Sequence, residues 1–311
     1  MASQTHPFST FENSEHSEHL SHSQEQAAWV CFGVLVLLLT LGYGNMLSFT
    51  AHSWSDGLYS HGYIIPLIAA GLFWYRRKPL TAVPSMERWI GVGVLLVCLL
   101  MRLYASYYDM NPLDRMSFIG ALLAITLIVG GYDMLRWAGP PLAFLIFMFP
   151  LPSALENTVL LKLQNLAAMF STWTLQLLGV PALREGSHII IEKLPLEVAD
   201  ACSGLRMGTI FGALSVALAM IIDRPWWDRL TILVFAIPVA LATNVIRITL
   251  TALLYLAFPD NDAVHHYIHN WAGLAMMPIA LGFLWIELTL LSKLTIPMES
   301  DDYASFSAAH G

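Results

Sequence analysis

The sequence predicts an all-α polytopic membrane protein with about eight transmembrane helices, an interfacial amphipathic helix and a short extracytoplasmic extended or hairpin segment. Three observations predict it. Hydrophobic residues fill 57% of the 311 positions and charged residues 12%, about half the ~25% charge of a soluble domain. Apolar runs of the length that crosses a ~30 Å hydrocarbon core recur along the chain. The net charge of -7 is held by the ends: Glu12, Glu15, Glu18 and Glu25 near one, Glu299, Asp301 and Asp302 near the other. The body between is neutral, with no basic stripe to displace phosphate counterions, so nucleic-acid binding is not expected.

The spans fall near 28–48, 58–75, 89–107, 117–133, 137–152, 203–222, 230–257 and 271–292. Residues 1–27 and 293–311 read as polar, acidic, disordered cytoplasmic tails around one membrane domain, 28–292. The acidic first residues do not resemble a signal peptide, and the chain is expected to stand alone without a soluble C-terminal domain. Basic residues of short loops favour the cytoplasm, which puts Arg76, Arg77, Lys78 and Arg88, then Arg136, then Arg224 and Arg229 inside. With those loops inside, the stretch 155–178 cannot cross once. Its polar residues Thr158, Lys162, Asn165, Thr172 and Gln176 recur at helical spacing, which suits a helix in the outer interface, with a ninth span as the alternative. Residues 179–201, with Gly186 before Ile189, Ile190 and Ile191 and then Pro195, read as the extended segment.

Cys31, Cys98 and Cys202 are odd in number and widely spaced, so neither a disulfide framework nor a metal site is expected, and no cofactor is implied. Cys31 and Cys98 lie in apolar runs and read as buried packing residues. Cys202 has polar neighbours. It lies 22 residues before Arg224, roughly 33 Å of helix, and Arg247 lies 18 residues after Arg229, roughly 27 Å. His269 precedes Trp271, an interfacial anchor at the start of the last span. A thiol, a guanidinium and an imidazole thus approach one membrane face. Ionisable groups there are costly enough to be functional candidates. The N-terminus of span six lowers a thiol pKa and Asp200 opposes that, with Arg206 one turn on the same face able to offset it, so sequence leaves the sign of the net shift open. A thiolate, a proton shuttle and an oxyanion clamp are the parts of acyl transfer through a thioester.

At these residues the sequence resembles the exosortase/archaeosortase family. The resemblance is carried by E-V-A-D-A-C-S-G-L-R at 197–206, A-T-N-V-I-R-I at 242–248 and H-N-W-A-G at 269–273. Y-S-H-G-Y at 59–63, P-L-P at 150–152 and G-V-P-A-L-R-E-G at 179–186 add to it. It implies a multi-pass inner-membrane cysteine transpeptidase or protease with its site on the extracytoplasmic side. The implied partners are exported proteins ending in a Pro-Glu-Pro-like motif, a transmembrane helix and a basic cluster, destined for surface anchoring linked to exopolysaccharide. Carried over by position, Cys202 matches the nucleophile, Arg247 the Arg of N-x-x-R and His269 the His of H-x-x-x-G. Ser203, Arg206 and Asn244 belong to the same motifs as supporting residues. A guanidinium is a poor proton donor, which favours Arg247 as clamp and His269 as acid/base, with the opposite division open. His265 and His266 rival His269, which only the spacing to Gly273 selects.

A competing reading is a non-enzymatic transporter or assembly factor for a surface polysaccharide. Such proteins carry their polar residues near the midplane, often in pseudo-symmetric halves, whereas no repeat is visible here. A serine protease built on Ser203 lacks the G-x-S-x-G setting.

Overall fold

The computed structural model describes residues 20–55, 59–191, 194–197, 204–222, 225–258 and ten positions between 278 and 293. Its elements are α1 (His22–Gly42), α2 (Gly44–Ser53), a 3-10 turn (Ser60–Tyr63), α3 (Ile65–Tyr75), α4 (Ser85–Tyr107), α5 (Asn111–Phe144) and a second 3-10 turn (Leu145–Met148). Then come α6 (Ser153–Leu177), strands β1 (Ala182–Glu185), β2 (His188–Ile191) and β3 (Leu194–Glu197), α7 (Gly204–Ile221) and α8 (Trp226–Ala257). Among the described residues four helical runs are long and apolar enough to cross a membrane: His22–Gly42, Ser85–Tyr107, Asn111–Met148 and Trp226–Ala257. Two compact units form, Met1–Leu47 with Phe73–Ala143 and Ser48–Leu72 with Phe144–Gly311.

In the first unit, α1 begins six residues before the predicted span. Gln24 Oε1 accepts the Ser21 N–H at 3.1 Å, one arm of a capping box, and Glu25 sits in the positively polarised first turn. Residues 22–27, expected in the disordered tail, are therefore helical. Helix α5 resolves a larger ambiguity. At about 1.5 Å per residue its run is too long for one crossing, and it is two helices joined at Gly131, where φ is 63°. Glu87 Oε2 accepts the Tyr132 N–H at 2.9 Å, answering an amide freed by the break. The junction falls two residues before the predicted end of span four at 133.

Helix α4 carries exposed Trp89 near one end and exposed Tyr104, Tyr107 and Tyr108 at the other. The 18 residues from Trp89 to Tyr107 rise about 27 Å, so the two aromatic sets match the interfaces of a bilayer. At the Trp end, the Arg77 guanidinium lies 4.5 Å from the Trp29 ring centre and 3.9 Å from Glu25 Oε1. At the other end, Arg102 donates to the Gly42 carbonyl that closes α1 and lies 3.7 Å from the Tyr43 ring. Tyr43 in turn shares a 2.8 Å hydrogen bond with buried Ser117. An arginine inside an apolar helix is here a partner for a helix end. Cys98 is buried as expected, with its Sγ against Gly120. Cys31 is exposed, a correction: an apolar run in a membrane protein turns residues to lipid as readily as to the protein core.

Predicted span two is only the eleven-residue α3, whose residues up to Leu72 belong to the second unit, preceded there by the 3-10 turn of Y-S-H-G-Y. Trp54 Nε1 donates to the Met148 carbonyl at 2.8 Å, and a Cβ on Gly62 would overlap the Trp54 indole, so this turn needs glycine. His61 within it is buried. The extended segment is a three-stranded antiparallel meander, β1-β2-β3, with Glu185 paired to His188 across a two-residue turn. Gly186, at φ 64°, opens that turn, the backbone state that tight hairpins require. Ile189 and Ile191 on one face of β2 join Ala167, Ala168 and Leu175 of α6 and Ile248 and Ala252 of α8 in one core.

Helix α6 covers the predicted amphipathic stretch, but its faces differ from expectation. Lys162 and Asn165 are exposed, as are Leu166, Phe170 and Trp173, while Gln164, Ser171 and Thr172 are buried. Small residues such as Ala167, Ala168 and Ser171 allow close helix approach, so the third face meets the protein and takes polar residues with it. Span six corresponds to α7 and span seven to α8. Of span eight the described positions, Pro278 and Ile279 first, are helical.

Candidate active site

Cys202, Ser203, His269, His265 and His266 lie outside the described residues. Arg206 lies in the first turns of α7. Asn244 and Arg247 are described, and both are buried, at 2% and 6% exposure.

Their direction follows from helix geometry. At 100° per residue, Arg247 points within about 20° of Ala240, and Asn244 about 40° to the other side of Ala240. Ala240 packs against Phe211 of α7, with Val239 and Ile279 around them. Ile248 and Ala252, about 80° and 120° from Ala240, enter the core with α6 and the sheet. Arg247 thus shares the stripe of α8 that meets α7, and Asn244 falls at the seam between the α7 and α6 directions. Helix α7 closes that seam with glycines: a Cβ on Gly208 would be 3.9 Å from Leu163 of α6, and one on Gly212 would be 3.8 Å from Phe147 of the second 3-10 turn.

The packing fixes a register. Helices α7 and α8 are consecutive, linked by residues 222–225, and meet at Phe211 and Ala240. Seven residues forward from Ala240 is Arg247, and seven back from Phe211 is Gly204. Gly204 is two residues past Cys202 in the chain.

The polar content of this bundle exceeds what the sequence motifs mark. Thr243 and Thr251 flank Arg247 at four-residue spacing and are buried, as are Thr249 and Ser215 of α7. The side-chain oxygens of Thr243, Asn244, Thr249, Ser215 and Ser171 have no hydrogen-bond partner among the described residues. The recurrence of Thr243, Arg247 and Thr251 in an apolar helix was a readable signal that motif matching passed over. Ser171 and Ser215 offered none, since single serines are common in membrane helices.

The chain is a polytopic helical membrane protein with a buried arginine and asparagine in its second unit. Residues 53–286, about three quarters of the chain, match the family described as transmembrane exosortase. The chain belongs to the exosortase family. Comparisons with curated proteins and with solved structures found no match.

Proposed function

We propose that this chain is a cysteine transpeptidase or protease of the inner membrane that cuts C-terminal sorting signals of exported proteins on the extracytoplasmic side. The observation that carries it is the cluster of Phe211, Ala240 and Ile279, which joins the three segments bearing the proposed residues. Cys202 is nine residues before Phe211, Arg247 seven after Ala240 and His269 ten before Ile279. Counted along the chain these are similar separations of nine, seven and ten residues. The antiparallel pairing of α7 and α8 runs the first two steps in the same direction.

In the proposed reaction the Cys202 thiolate attacks the scissile carbonyl carbon, forming the C–S bond and a tetrahedral oxyanion that Arg247 stabilises. The C–N bond then breaks, His269 gives the leaving amine its proton, and the acyl group remains as a thioester on Cys202. Water or an acceptor amine attacks that carbonyl, loses a proton to His269 and releases the Cys202 thiolate. Exported proteins with a short motif, an apolar helix and a basic cluster are the proposed substrates, and surface anchoring tied to exopolysaccharide is the proposed setting.

The test is a secreted reporter ending in Pro-Glu-Pro, about 20 apolar residues and an arginine cluster. With Cys202→Ala the uncut precursor is expected to accumulate in the membrane. Processing at the wild-type rate in that variant would overturn the proposal.

A further inference from the structure

The amide oxygen of Asn244 is an acceptor without a donor among the described residues. The residue is 2% exposed, and Oδ1 has no hydrogen-bond partner among the described residues. Buried polar groups are almost always paired, so a group left unpaired in a packed bundle calls for an explanation such as a ligand or a bound water. The oxygens of Thr243 and Thr249 on the same helix share its condition. Asn244 itself falls at the seam of α6, α7 and α8, one turn from Arg247.

A peptide cut at a membrane rim brings the missing donors. Around the scissile bond it must be extended, which bares its N–H groups where water is scarce. The apolar helix that follows begins with four N–H groups that have no acceptor within that helix. Asparagine is among the side chains that best accept such N–H groups at a helix start. The two prolines of the motif have no N–H, so its one backbone donor is the Glu N–H and the remaining donors are those of the residues that follow.

We propose that Asn244 Oδ1 accepts a backbone N–H of the substrate in the first residues beyond its motif, making Asn244 a substrate-positioning residue one turn from the oxyanion clamp. This rests on the function proposed above. It assigns Asn244 to holding the leaving segment, not to the bond-making steps.

The experiment uses the full-length protein in liposomes and a synthetic peptide carrying Pro-Glu-Pro, an apolar helix and an arginine cluster. The first N–H groups after the motif are replaced one at a time by ester oxygen. One ester is expected to lower kcat/KM about ten-fold in the wild type and less than about two-fold in Asn244→Leu, because the contact is already gone. Asn244→Leu alone is expected to lower kcat/KM about ten-fold, chiefly through KM. Esters that act equally on both proteins would overturn the proposal, as would Asn244→Leu processing at the wild-type rate. Cys202→Ala is run beside them. If it still cuts the peptide, the proposed function itself has failed, an outcome distinct from an absent ester effect in an active enzyme.

Discussion

Replacing Asn244 by leucine should stabilise the folded protein while impairing its activity. An amide oxygen buried without a partner costs about 1–3 kcal/mol, and an apolar side chain of similar shape removes that penalty. Asn244 is 2% exposed, and its Oδ1 has no partner among the described residues, so the full range applies. At about 2 °C per kcal/mol for a chain of this length, Tm should rise by roughly 2–6 °C. The assay is tryptophan fluorescence during heating of the purified protein in one detergent, with processing of the reporter measured on the same preparation. A fall in Tm would contradict this, since it would mean that Asn244 holds the fold together.

Three further outcomes follow from the packing. Tyr43→Phe removes the buried hydrogen bond to Ser117 and should lower stability by about 1 kcal/mol, read from the same melting curve. Gly131→Ala places a side chain at φ 63° and against Glu87, and should cost at least ~1–2 kcal/mol, with proteolysis near residue 131 as a second readout. In detergent, a maleimide should label Cys31 quickly and Cys98 only on unfolding, as counted by intact mass.

Much of this fold was legible because bilayer thickness and helix rise are fixed lengths. Spans seven and three were readable as apolar runs of the required length, whereas the break at Gly131 lies inside the stretch read as span four. Other features depended on contacts that periodicity does not report. Helix α1 starts at His22 because Gln24 answers the Ser21 N–H, a local bond in a polar stretch that composition assigns to disorder. Thr172 sits on a protein-facing side of α6 because small residues let the helix pack closely, not because its polarity seeks water. Arg102 was silent in sequence, since nothing local reveals that the end of α1 would need a donor. For the candidate site, the motifs named Asn244 and Arg247, and helix geometry then gave their directions. The buried hydroxyl of Ser215 became visible only once α7 and α8 were packed together.

The proposed reaction turns on an acyl-thioester at Cys202. The measurement is mass spectrometry of the acid-quenched, digested protein during turnover of the Pro-Glu-Pro peptide. The peptide containing Cys202 is expected to gain the mass of the substrate's N-terminal fragment, and hydroxylamine to remove it. Turnover at full rate with Cys202 unmodified at every time point would contradict it.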